Sequence, residues 1–273
     1  MTKKSRYRPV KAYDNKEFLN SRDARSLRIQ AEYQEPESRF ENFNVKDTIV
    51  FFGSARIKSR HQARRALKEA KEKGRGITKA ERGLELSRFY EEARSLSRKL
   101  TEWSKNLDSS EDRRFVVCTG GGPGIMEAAN RGASDAKGLN IGLNISLPFE
   151  QYENPYITHH LGFEFHYFFM RKFWFIYLAK AIVVFPGGFG TLDELFEVVT
   201  LDQTGKLSKP IKVVLYGSDY WQNVLNFDAL VEYGTIDRQD LDKIFVTDTV
   251  DGAFDFITRK LLDTALADPG GVL

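Results

Sequence analysis

Apolar residues in this chain fall into short runs separated by longer stretches of helical texture. DTIVFFG, beginning at Asp47, is a β-branched and aromatic run closed by glycine, the pattern of a buried strand. After Asp112 come FVVCTG, LNIGLNIS, AIVVFPGG and IKVVLYG, most of them followed by a helical segment. Strands that alternate with helices need crossover connections, so the expected fold is α/β and doubly wound, a mainly parallel sheet with helices on both faces. IFVTD and TVDGAFDFITRKLLDTALAD supply a last strand and a C-terminal helix, and one domain is expected over residues 47–268.

Two regions depart from this alternation. Residues 1–46 are rich in charge and lack a sustained apolar period, and Pro36 interrupts AEYQEPESRF; the expectation is an extension that is partly disordered or draped over the core. Residues 59–107 are almost all helix formers, with GRGIT at 74–78 as a break, which predicts a helical insertion of two amphipathic helices whose many cations read first as a solvated face, with an anion-binding face as the alternative. The most aromatic stretch, FEFHYFFMRKFWFIYLAK at 163–180, imitates a membrane span. Arg171 and Lys172 interrupt it at its middle, so it is read as a buried or interface helix carrying two cations.

Composition narrows the class. The 273 residues are 41% hydrophobic and 13% aromatic, enough for one sizeable core. Lysine and arginine number 41 against 38 acidic residues, and a balance of +3 calls for neither a nucleic-acid polymer nor a membrane, which leaves a small ligand. The lone Cys118 excludes an internal disulfide framework and suits a reducing compartment, and the first residues carry no apolar signal core; a cytoplasmic location is expected. Cys118 ends a strand and reads as a core residue. His159, His160 and His166 invite a metal, but adjacent residues on a strand face opposite ways, so no metal site is expected.

Candidate chemistry lies in two glycine loops. TGGGPGIMEAANRGA, residues 119–133, and FPGGFGTLDELFEVVT, residues 185–200, each join an apolar strand to a helix. Glycines let a backbone approach a ligand closely, and the unpaired amides of a helix start favour an anion such as phosphate. A tight turn with nothing bound is the plainer account of either loop; two of them at one sheet edge favour a nucleotide site. No GxxxxGK[ST] run is present, and Ile125 stands where Gly120 and Gly122 would require a third glycine, so neither a triphosphate nor a dinucleotide grip is formed. A monophosphate fits best. Thr191 can cap its helix or meet a phosphate oxygen. Asp193 is accounted for by the helix dipole, whereas Glu194, three residues after Thr191, can reach an adjoining ribose and stabilise a cationic transition state or deprotonate water.

PGGFGTLDE at 186–194, with MRK at 170–172 upstream, resembles the PGGxGTxxE signature of the Lonely Guy (LOG) family of cytokinin riboside 5'-monophosphate phosphoribohydrolases, often misnamed lysine decarboxylases. The likeness runs from about Thr48 to Asp219 and takes in FFGSA at 51–55 and GGGPGIMEAAN at 120–130. It implies a Rossmann-like fold, a homodimer or larger assembly, and cleavage of a nucleoside 5'-monophosphate to free base and ribose 5-phosphate without cofactor or metal. Arg171 and Glu194 match the catalytic pair. Ser54, Gly121, Gly122, Lys172, Gly187, Gly188, Gly190 and Thr191 match residues that line the nucleotide site, and Thr200 falls on a binding position. Glu150 in LPFE matches a further glutamate of the family, with Glu153 as its competitor. The insertion at 59–107 and the N-terminal extension resemble the longer bacterial forms, and the expected substrate is a purine nucleoside 5'-monophosphate, cytokinin-type or AMP. The alternative is a non-catalytic carrier of nucleotides or of molybdenum cofactor on the same fold, which has no chemical reason to keep Arg171 with Glu194. Lysine decarboxylation would need a Schiff-base lysine, and nothing around Lys172 suggests one.

Overall fold

A computed structural model describes residues 8–107, 112–148 and 153–273. In chain order the elements are α1 (Lys16–Asn20), α2 (Arg25–Asn42), β1 (Thr48–Phe52), α3 (Arg60–Glu72), α4 (Ile77–Lys105), β2 (Val116–Thr119), α5 (Ile125–Asp135), β3 (Asn140–Ile145), β4 (Gly162–Phe165), α6 (Phe168–Tyr177), β5 (Ala179–Val184), α7 (Phe189–Gln203), β6 (Lys212–Tyr216), α8 (Ser218–Val224), α9 (Phe227–Glu232), α10 (Arg238–Leu241), β7 (Ile244–Thr247) and α11 (Val250–Thr264). The strands form one sheet in the order β4-β3-β2-β1-β5-β6-β7, and every pairing is parallel. The fold is therefore Rossmann-like and doubly wound.

Period-two side chains divide the core. Ile49 and Phe51 of β1 join Phe89, Leu96 and Leu100 of α4, Ala128 and Ala129 of α5 and Ile257 of α11 on one face. Val50 and Phe52 join Trp174 and Phe175 of α6 and Leu195 of α7 on the other. The strand order reverses between β1 and β5, and there the loops that follow the two strands are laced together: Phe185 N donates to Phe52 O at 2.8 Å and Ser54 N to Pro186 O at 3.0 Å. A crevice at such a reversal is the usual ligand position of an open parallel sheet.

The aromatic stretch at 163–180 is not one helix. Gly162–Phe165 is edge strand β4, with Phe163 and Phe165 buried and Glu164 exposed; only Phe168–Tyr177 is helical, and β5 has begun by Ala179. Among the described residues no helix is long and apolar enough to cross a membrane.

Pro36, read from the sequence as an interruption, lies inside the 18-residue α2. Proline there removes the donor that would meet the carbonyl of Glu32. The indole of Trp174 takes its place, Nε1 donating to Glu32 O at 2.9 Å, while the Glu32 carboxylate accepts from the amides of His166 and Tyr167 at the start of α6. Helix α2 is thereby fastened to the helix that carries Arg171 and Lys172. Trp174→Phe is expected to cost about 3 kcal/mol through the orphaned carbonyl and the space left behind. Adding Pro36→Ala, which returns the missing amide, should recover part of that loss in urea denaturation; strictly additive effects would remove this account.

Candidate active site

The crevice at the strand reversal is a cavity of about 670 Å³. The loop after β1 contributes Gly53 to Arg56, the loop after β2 contributes Gly120, α6 contributes Phe168 and Arg171, and the start of α7 contributes Gly187 to Glu194. Arg171 and Glu194 are thus brought to one space from opposite sides of the switch point.

The glycines of the second loop differ in why they are glycine. A Cβ on Gly187 would lie 2.1 Å from Thr191 Oγ1, so packing alone demands it; the Gly187 carbonyl also accepts from Tyr220 Oη at 2.6 Å. Gly188 and Gly190 have ordinary backbone angles, and a Cβ on either meets nothing within 4 Å. The folded chain has no use for glycine at these two positions, but a ligand lying against the backbone does. Gly188 is the N-cap of the 15-residue α7, which no side chain caps, so the first-turn amides face the cavity. Thr191 is buried at the same end. Gly190→Ala should leave folding intact or strengthen α7 by up to about 1 kcal/mol, since alanine is the better helix former. Phosphate-ester affinity should fall at the same time, as titration calorimetry beside urea denaturation would read; unchanged affinity would show that no ligand approaches there.

Glu194 sits one turn inside α7 with only 6% of its surface exposed, and its Oε2 has no hydrogen-bond partner. Burial pushes its pKa up to about 7, against the pull of Arg171 and Lys172 and with help from Glu197 and Asp193. The carboxylate is therefore poised to exchange a proton near neutrality. Arg171 donates from Nε to Leu143 O at 2.8 Å, and its guanidinium lies over the Phe175 ring. A Cβ on Gly120 would fall 2.6 Å from Arg171 Nη2, so Gly120 is the glycine that makes room for the cation. Burial pulls Arg171 below its usual pKa and Glu194 opposes this; a guanidinium stays charged all the same. The two groups form no ion pair within 4.0 Å, and both line the cavity.

Several residues singled out from the sequence lie elsewhere. Lys172 does not line the cavity: its Nζ bridges Asp193 at 2.9 Å and Glu197 at 3.0 Å, tying α6 to α7. Burial acts to lower Lys172, but the bonds to those carboxylates prevail and its pKa is raised. Gly121 and Gly122 stand behind the wall, their carbonyls accepting from Asn154 Nδ2 at 3.1 and 3.2 Å, and Gly121 N donates to Thr119 Oγ1 at 2.9 Å. Ile125 N, at the start of α5, donates to Ser54 O at 3.2 Å. The first glycine loop is thus held by a buried asparagine network and by Ser54, and of its three consecutive glycines only Gly120 borders the cavity. Thr200 is exposed near the end of α7 and borders a separate apolar pocket with Phe196 and Phe227. Glu150 lies outside the described residues, and Glu153 accepts from Asn144 Nδ2 at 2.8 Å away from the cavity. Ser54 borders the cavity, its Oγ accepting from Arg56 N at 3.1 Å.

His159 and His160 occupy a short 3-10 turn, not a strand, with ring centroids 4.8 Å apart. Among the described residues no three histidines, cysteines or carboxylates converge to hold a metal. Cys118 is buried, and burial raises its thiol pKa well beyond reactivity. Sequence reasoning missed Gly120, Arg56, Met126, Phe168, Phe189 and Tyr220 as cavity residues. Gly120 was within reach, as the first glycine after a strand that ends at the carboxyl edge; Tyr220 arrives from α8 and leaves no local signal.

The family described as "Possible lysine decarboxylase" matches residues 126–257. The cytokinin riboside 5'-monophosphate phosphoribohydrolase of Rhodococcoides fascians is 30% identical over 143 residues, covering 50% of this chain and 70% of that protein. A probable cytokinin riboside 5'-monophosphate phosphoribohydrolase of Oryza sativa subsp. japonica, LOG4, is 38% identical over 82 residues, 30% of this chain and 34% of that one. Among solved structures, the molybdenum cofactor carrier protein of Chlamydomonas reinhardtii is similar with a TM-score of 0.44 and 17% identity, covering 80% of this chain and 99% of that one. On the extent of its likeness to the Rhodococcoides fascians protein, this chain belongs to the Lonely Guy family of cytokinin riboside 5'-monophosphate phosphoribohydrolases.

Proposed function

We propose that the chain hydrolyses the N-glycosidic bond of a purine nucleoside 5'-monophosphate, AMP or a cytokinin-type nucleotide, to the free base and ribose 5-phosphate. The observation that carries this reading is the unpartnered, buried Oε2 of Glu194, one turn from two glycines that the fold itself does not need. With the phosphate on the open amides of α7 near Gly188, Gly190 and Thr191, the ribose falls beside Glu194. Water oxygen bonds to C1', the bond from C1' to the purine nitrogen breaks, and its electron pair leaves on the base. Glu194 takes the proton that water loses, the departing base nitrogen takes up one proton from solvent, and Glu194 returns its proton to solvent, so that the turnover closes with a neutral base and the carboxylate restored. Arg171 is the fixed cation across the cavity that orients phosphate or base, and Lys172 is a positioning residue that holds α6 and α7 in register.

A homodimer or larger assembly belongs to the same proposal. Phe168, Phe169 and Phe189 are 53%, 55% and 93% exposed, and apolar surface of this kind suits cover by a second copy. Incubation of the purified chain with AMP, with chromatographic resolution of adenine and ribose 5-phosphate, tests the activity. Binding of AMP with no adenine released at high enzyme would leave a nucleotide-binding protein and end the hydrolase reading.

A further inference from the structure

A second cavity, of about 540 Å³, opens off the first. The two share Ser54, Arg56, Gly187, Gly188 and Tyr220, so they meet at the uncapped start of α7, the end where the proposed function puts the phosphate. The annex is made by the helical pair α3 and α4. Ala63, Ala66 and Ala70 are spaced three and four apart, which places them on one face of α3. Ala80 and Gly83 of α4 stand opposite, after the N-cap Gly76, whose φ of 72° calls for glycine; a Cβ on Gly83 would meet nothing within 4 Å. Small residues on both walls keep the space open.

The charge of the lining is one-sided. Arg56, Lys58 and Lys79 border the annex, and among the described residues no aspartate or glutamate does. On the outer faces of the same helices cations are matched with acids, as in Arg65–Glu69, Lys68–Glu72 and Arg82–Glu85. A concave, largely apolar site with a few converging cations and a helix start is suited to an anionic ester. A single phosphate on the amides of α7 would use Gly188 and leave Lys58, Lys79 and the alanine walls without a ligand.

We propose that the annex receives a second phosphoryl group and whatever is esterified to it, so that the site takes nucleoside 5'-diphosphates and their esters as well as monophosphates. This rests on the nucleotide reading of the main cavity, which it extends on the phosphate side. Arg56, common to both cavities, sits at the bridge between the two phosphoryl positions, and Lys58 and Lys79 neutralise the outer one. The small-residue walls of α3 and α4 accommodate the ester beyond it.

Titration calorimetry on the full chain with AMP, ADP and ADP-ribose reads the inference directly. ADP and ADP-ribose are expected to bind at least as tightly as AMP. The double variant Lys58→Ala/Lys79→Ala, at two exposed positions, should weaken ADP about tenfold more than AMP, the loss expected for charge-assisted contacts to phosphate. Ala66→Trp, which fills the annex, should exclude ADP-ribose while AMP still binds. ADP binding tenfold or more weaker than AMP in the unaltered chain, or equal weakening of both nucleotides in the double variant, overturns the annex and leaves the monophosphate reading standing. Lysine-dependent ADP binding with no AMP binding keeps the annex and removes the monophosphate reading.

Discussion

Glu194→Gln should lower AMP hydrolysis by about 10²–10⁴-fold, the loss expected when a general base or charge-stabilising carboxylate is removed from an otherwise intact site. The amide keeps the size of the side chain, so the cavity and phosphate affinity are retained and the loss falls on kcat. With a free-state pKa of about 7, the ionised carboxylate becomes available only as the pH rises through that value, and kcat/KM should rise with it. Stability should move in the opposite sense. The folded-state pKa lies above the ordinary carboxylate value, so the contribution of protonated Glu194 is fully present below about pH 4.5 and is lost as the pH climbs toward 7. Glu194→Gln mimics the protonated form at every pH; it should match the unaltered chain near pH 4.5 and exceed it by about 3 kcal/mol at pH 8. Urea denaturation at the two pH values and a kcat/KM profile check both halves. A variant that loses stability at pH 8, or a rate that is flat from pH 6 to 8, would show that the carboxylate is not held in the strained, functional state described.

That trade of stability for chemistry was only partly legible in the sequence. Strands β1, β2, β3, β5 and β6 announced themselves because a strand buried on both faces reads as a short, mostly apolar run, broken here only by residues such as Asn140, Asn144, Lys180 and Lys212. Edge strand β4 did not: its four residues alternate, and Phe163 and Phe165 merge with the aromatic run of α6. Pro36 misleads for a different reason, since whether a helix survives proline depends on a donor for the freed carbonyl, and Trp174 is 138 residues away. Motif spacing marked Glu194, Arg171 and the second glycine loop, all of which reach the cavity. It could not separate Gly120 from Gly121 and Gly122, because which of three consecutive glycines turns toward the cavity is decided by Asn144 and Asn154 behind them. Nor could it separate Arg56, Lys58 and Lys79 at the annex from the paired cations of α3 and α4, because that division is made by how the two helices lie against the loops after β1 and β5.

Asp47→Ala is expected to cost about 3–5 kcal/mol, a third or more of the stability of an ordinary domain. Asp47 precedes β1 at the amino edge of the sheet, opposite the cavity, and is fully buried. Its carboxylate pairs with Arg114 and with Lys180, the latter at 3.3 Å and 1% exposed, and accepts from Gly270 N at 3.2 Å. Lys180 Nζ donates to Gly270 O at 2.5 Å, while Arg114 donates to the carbonyls of Ala265 and Leu266 at 2.6 and 2.8 Å. The cluster therefore fastens the segment after α11 beneath the sheet. Burial raises Asp47 and lowers Lys180 in spite of their mutual attraction, so desolvation outweighs pairing and the ion pair is no net source of stability. Removing one member is nonetheless severe, because it strands a buried cation. Asp47→Leu combined with Lys180→Met, which replaces the pair with apolar volume, should recover most of what Asp47→Ala loses, because Arg114 keeps its two carbonyl partners. Urea denaturation of the single and double variants decides it, and kcat/KM of the folded double variant toward AMP should stay within about twofold of the unaltered chain, since the cluster lies at the far edge of the sheet. If the double variant is as unstable as the single one, the loss comes from the tail released around Gly270 and not from an uncompensated charge.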